Sequence, residues 1–224
     1  MNRTSLLPLL ILLIASCRSL PAIDPVVSTS EAMAEACEEV FPRRPWRMVH
    51  SIKTDLPGGR RGVMIGVVAL APGDRTVACA LLSIEGLRLF EAQDDGTLTV
   101  RRALPPFDQP ALAEGMMQDI RMLFFPPANP PLVSGRMASG NPGCRYALTD
   151  GYQDIIRQPT GALVIQRYDQ RNRLTRRVHI TRCRPENAGN SEALPCRIRL
   201  EAFQPAEYRL DLELVEARPI VDSP

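Results

Sequence analysis

Lysine is almost missing from this chain. Lys53 is the only one, and arginine carries nearly all the positive charge. Histidine occurs twice, at His50 and His179, and tryptophan once, at Trp46. The formal net charge is only +2, which gives no electrostatic basis for binding nucleic acid. No pair of cysteines has CxxC spacing, so a zinc or thioredoxin-like centre is not indicated. No GxSxG elbow, HExxH pair or P-loop is present, and the two histidines stand far apart in sequence. Asp94-Asp95 reads as a turn, and Asp211 and Glu213 as the wet side of a strand. The sequence therefore points away from an enzyme and toward a protein without a cofactor or metal. Beyond the first residues no apolar run is long enough to span a bilayer.

The first residues carry the strongest signal. Arg3 supplies a positive start, and Leu6 to Ile14 form a short apolar run. That pattern reads as a secretory signal over residues 1–16. The run ends in Ile14-Ala15-Ser16-Cys17, which resembles the bacterial lipobox. The resemblance implies a thioether-linked diacylglycerol on Cys17, cleavage before it, and anchoring to the membrane through the acylated cysteine. Two or more acyl chains attach a protein stably where one does not. Arg18 follows, where an aspartate favours inner-membrane retention in enterobacteria; its absence favours the outer membrane, facing the periplasm. Residues 17–28 read as an acylated tether, 29–218 as a single domain, and 219–224 as a tail.

In an oxidising compartment disulfides persist. Cys37, Cys79, Cys144, Cys183 and Cys196 remain after Cys17, an odd number, so at least one is free or paired outside the chain. Cys183 and Cys196 stand at the two mouths of the segment from Arg184 to Pro195, and a hairpin there favours a bridge. Strict alternation points Cys183 outward and Cys196 inward, so one of them must leave the regular ladder. The pairing of Cys37, Cys79 and Cys144 is open.

The 21 prolines and short apolar runs indicate many turns and a mostly β, α+β fold. Met33, Cys37, Val40 and Phe41 make one stripe of a short helix that Pro42 ends. Strands are expected at Trp46–Thr54, Val63–Ala71, Thr76–Leu82, Leu87–Glu91 and Thr97–Arg101, a five-stranded meander. Val63–Ala71 is apolar at nearly every position, which predicts cover on both faces. Asp108, as N-cap, and Pro110 open one substantial helix, whose stripe is Leu112, Met116, Ile120, Leu123 and Phe124. The stretch from Pro126 to Cys144, rich in proline, glycine and serine, reads as a long loop. Strands return at Gly161–Asp169, Leu174–Arg182, Ile198–Ala202 and Tyr208–Leu214.

A meander, one central helix and further antiparallel strands behind a lipobox resemble the LolA/LolB-like fold, in particular LolB-like bacterial lipoproteins. The residues that carry the likeness are Leu81-Leu82-Ser83-Ile84-Glu85-Gly86-Leu87-Arg88-Leu89-Phe90, then Met117-Gln118-Asp119-Ile120-Arg121, then Tyr208-Arg209-Leu210-Asp211-Leu212. The resemblance spans Trp46 to about Val215. It implies a curled, incomplete antiparallel β-barrel closed by helices. It also implies a protein that binds or transfers a lipid or an acylated, lipoprotein-like molecule. Met64, Met116, Met117, Ile120 and Phe124 are the candidate lining residues of an apolar cavity, methionine being adaptable to irregular apolar ligands. In LolB-like proteins a hydrophobic loop residue after the third strand helps delivery to the membrane. The matching turn is Ser83 to Gly86, with Ile84 as the membrane-loop candidate, while Glu85 departs from the apolar pattern of the family. The alternative is a ligand-free structural or interaction lipoprotein of the envelope, docking an unknown partner through the Pro126 to Cys144 loop or a sheet edge.

Overall fold

The computed structural model describes residues 19–25, 30–184 and 192–220. Cys17 and the signal lie outside the described residues. The chain folds into one antiparallel sheet of 13 strands wrapped around a helix. The strands are β1 (Ile23–Pro25), β2 (Trp46–Leu56), β3 (Arg60–Ala71), β4 (Thr76–Ser83), β5 (Arg88–Asp94), β6 (Leu98–Ala103), β7 (Val133–Met137), β8 (Pro142–Leu148), β9 (Gly151–Arg157), β10 (Leu163–Asp169), β11 (Leu174–Cys183), β12 (Leu194–Ala202) and β13 (Tyr208–Pro219). The helices are α1 (Ser30–Glu38) and α2 (Pro110–Phe124). The strand order is β1-β7-β8-β9-β10-β11-β12-β13-β2-β3-β4-β5-β6. β1 and β6 are the two edges, so the sheet is curled but not closed.

Alternation explains the curl. Val178 and Ile180 of β11, Ile198 and Leu200 of β12, and Met48 of β2 are buried on the inner face. Arg177, His179, Arg199, Asp211 and Lys53 occupy the other parity and face outward. One wet face and one dry face are what an antiparallel sheet tolerates. α2 fills part of the concavity with Ala113, Met117, Met122, Leu123 and Phe124. It is tied at both flanks. Arg176 Nε of β11 donates to Asp119 Oδ1 at 2.9 Å, and the Tyr208 hydroxyl of β13 bonds the other oxygen. On the opposite side Arg121 pairs with Asp94 of β5 and donates to the Arg75 carbonyl at 3.2 Å.

α1 packs against β7 to β9, and the Cys37–Cys144 disulfide fixes it there. Trp46, fully buried, donates from Nε1 to Glu192 at 2.7 Å and so holds the β11–β12 connection against the start of β2. Cys183 and Cys196 are bridged. The alternation conflict is resolved by a bulge. Thr181 pairs Arg197 but Arg182 pairs Pro195, so Cys196 is the extra residue and leaves the ladder. Among the described residues Cys79 is the free cysteine, buried on β4.

Several expectations need correction. The stretch from Pro126 to Cys144 is not a long loop, because it contains β7 and the start of β8. Gly140 does turn the chain, at φ +80°, but Gly135 and Gly143 serve close approach. A Cβ on Gly135 would lie 2.0 Å from the Asp24 carbonyl oxygen of β1. Pro142 is the first residue of β8, a position where a strand accepts proline. The strand β9 was not expected at all. The N-cap of α2 is Gln109 rather than Asp108, and no side chain caps that end. The outer face of β3 is not buried: Val63 is 47% exposed, and Ile65 and Val67 are half-buried. Within the stretch read as tether, Ile23–Pro25 pairs with β7, and Ile23 packs on Met137, Ile156 and Val164.

Candidate functional site

α2 does not fill the concavity to its rim. The inner face of β13 presents Tyr208, Leu210, Leu212 and Leu214, all half-buried. Ile52 of β2 pairs with Leu212, and Met64 of β3 pairs with Ile52, so three neighbouring strands continue one apolar floor. From α2, Met116 and Ile120 pack on the same core and are also half-buried. This floor lies toward the end of the sheet where β2 turns into β3, β4 into β5 and β12 into β13. α2 runs from that end, where Asp119 meets Tyr208, to the other, where the Pro126 carbonyl accepts from Arg75 at 2.9 Å. At the far end stand Trp46, the Cys183–Cys196 bridge and the chain just past α1, where the Glu39 carbonyl accepts from Arg182 at 3.4 Å. The near end is the mouth.

The five candidate lining residues divide between two environments. Met64, Met116 and Ile120 belong to the half-exposed floor. Met117 and Phe124 are core residues, 2% and 1% exposed. Met117 Sδ accepts from the Cys79 thiol at 3.3 Å, and the Phe124 ring stands 6.0 Å from the His50 ring. Desolvation pushes the Cys79 thiol up to about 12, so it stays protonated and unreactive.

Two aliphatic side chains meet solvent at the rim, beside an exposed Glu85. Ile84 is 67% exposed and Leu87 52% exposed, both in the β4–β5 turn. The turn is fixed by Gly86 N donating to the Ser83 carbonyl at 3.0 Å and Leu87 N donating to Ser83 Oγ at 3.3 Å. Arg60, Arg61 and Arg88 are exposed at the same end.

Sequence reasoning missed the polar groups built into the concavity. His50 is 1% exposed on the inner face of β2, and desolvation lowers its pKa to about 4. Asp119 is almost wholly buried; desolvation raises its pKa, against the pull of Arg176 and the Tyr208 hydroxyl. Burial and the adjacent Asp119 push the Tyr208 phenol upward in turn. Neither could be read from spacing, because their partners come from strands far away in the chain.

The outer face carries a different feature, a groove of about 490 Å³ over β11, β12, β13 and β2. Arg199 pairs with Asp211 at 2.7 Å and Arg197 with Glu213 at 3.7 Å, both largely in solvent. Such pairs contribute little, and polar or charged residues make up all of the lining except Ile198 and Leu212. Among the described residues no three His, Cys, Asp or Glu side chains are grouped to hold a metal, and no helix is long and apolar enough to cross a membrane.

An unclosed antiparallel sheet with an apolar concavity under one helix defines a half-barrel class of fold. It is the LolA/LolB-like fold. A putative outer membrane lipoprotein-sorting protein domain from Vibrio parahaemolyticus superposes with a TM-score of 0.51 at 8% identity, over 89% of this chain and 95% of that one. A LolA superfamily protein from Nitrosomonas europaea gives 0.46 at 12% identity, over 87% and 94%. A DUF1329 family protein from Desulfovibrio piger gives 0.47 at 11% identity, over 90% and 95%. No protein-family model matches the sequence, and no curated protein matches it.

Proposed function

We propose that this chain is a lipoprotein of the bacterial cell envelope that binds or passes on a lipid or acylated molecule along its concave apolar floor. The observation that carries the reading is the row Leu210, Leu212 and Leu214, continued by Ile52 and Met64 and left half-exposed beneath α2. Exposed contiguous apolar surface inside a concavity is the usual mark of a ligand site. From Tyr208 to Leu214 the floor runs ~20 Å at the rise of an extended strand, long enough for an acyl chain. Cys17 is the proposed acylation point, with Arg18 favouring the outer membrane, and Ile84 with Leu87 would bring the mouth against the bilayer. The protein is a carrier in this reading and not an enzyme.

Native mass spectrometry of the domain from Arg18 onward, purified from a periplasm without detergent, tests it. A bound mass of lipid or acyl-peptide size is the expected result. A clean apo mass that persists after incubation with phospholipid and a lipopeptide removes the reading.

A further inference from the structure

The floor ends at a polar atom with nothing to bind. His50 pairs across the sheet with Leu214 on one side and Gly66 on the other. Its ring hydrogen bonds the backbone of Pro195, on the β12 side of β2. The remaining nitrogen, Nε2, is buried and has no hydrogen-bond partner. Gly66 is the cross-strand neighbour of His50 on the β3 side, and the Phe124 ring of α2 stands 6.0 Å from the His50 ring. Gly66 has no side chain to fill the space beside His50. What spans it is the tip of Ile52: a Cβ on Gly66 would lie 2.6 Å from Ile52 Cδ1. Burial keeps the ring neutral, so the nitrogen that does not donate to the Pro195 carbonyl is a bare acceptor. A buried acceptor left unpaired is unfavourable, and a donor that reaches it is preferred over an isosteric group that cannot donate.

We propose that His50 Nε2 is the polar end of the ligand site, and that the site takes an acyl amphiphile carrying a neutral N–H or O–H donor, as an amide-linked or hydroxylated acyl group does. Ile52 turns aside, the apolar chain lies on Leu210, Leu212 and Leu214, and the donor seats over Gly66. The inference rests on the carrier reading and adds the chemistry by which one acyl ligand is distinguished from another.

The test is competition against a fluorescent fatty acid on the full mature chain in nanodiscs. The competitors are methyl myristate, N-methyl myristamide and methyl 3-hydroxymyristate. Each partitions equally into both samples, so the readout is the ratio of wild type to variant. His50→Phe should weaken the amide and the hydroxy ester about tenfold, ~1.4 kcal/mol, and leave the plain ester within about twofold. Gly66→Ala, which fills the seat and keeps the histidine, should give the same pattern and keeps the test decisive if His50→Phe does not fold. An equal change for all three competitors, or none, overturns the proposal. Failure of all three to displace the probe from wild type removes the carrier reading, and this inference with it.

Discussion

His50 sets a pH limit on the fold. Its pKa is about 4 in the folded protein against 6.5 for a free imidazole. Between those values the unfolded chain binds a proton that the folded chain refuses, so stability rises with pH across the window and is lost as pH falls from 6.5 toward 4. The difference corresponds to about 3 kcal/mol. Urea unfolding at pH 4.5 and pH 7 checks this, and the gap should shrink by most of that amount in His50→Phe. The Asp119–Arg176 pair gives a second expectation at the same scale. Arg176→Leu leaves a buried carboxylate without its ion-pair partner, and should lower stability by ~3–5 kcal/mol. The double variant with Asp119→Leu should recover much of that loss in the same assay. At this scale the cysteines were the most legible residues. Hairpin logic brought Cys183 to Cys196, but the bulge that permits their bridge is invisible until the register is known. The buried histidine and aspartate were unreadable because burial is decided by strands distant in sequence.

At the scale of elements, the two disulfides constrain unequal loops. Cys37 and Cys144 are 107 residues apart, while Cys183 and Cys196 are 13 apart. Chain entropy therefore predicts a larger loss for the Cys37→Ala/Cys144→Ala pair, ~4–5 kcal/mol against ~3 kcal/mol for the other. Thermal melts of both double variants under oxidising conditions measure the order. The edge strand β1 depends on a single glycine. Gly135→Ala should displace Ile23–Pro25, seen as lost amide protection in that strand and early proteolytic trimming of the amino terminus. Helix α2 and the first meander were legible because their apolar periods are long and cleanly bounded. The segment holding β7 was not. Its prolines and glycines have the composition of a loop, and only the close packing of β1 against β7 shows why the strand carries Gly135.

For the whole molecule, the curl and the mouth follow from a topology that the sequence order of hairpins does not reveal. The Ile84 turn gives an expectation that belongs here. Ile84→Glu with Leu87→Glu, both exposed, should change folding stability by less than about 0.5 kcal/mol. The same pair should sharply weaken binding of the unlipidated domain to anionic vesicles, read by co-sedimentation. Undiminished vesicle binding removes the rim from the mechanism.

The sheet also has a time order built into it. β2 to β6 form one run of neighbours, and β7 to β13 another, each able to zip hairpin by hairpin. They join only through β13 and β2, where Ile52 meets Leu212. That is a contact between near-opposite ends of the chain, and such non-local pairings are slow to form. Synthesis runs from the amino terminus, so β2 is made early and β13 last. Until the final strand arrives, the long edge of β2 and the apolar face beside it stand open. The interval between synthesis and closure is therefore the stage at which its unpaired edge and apolar face are most open to aggregation.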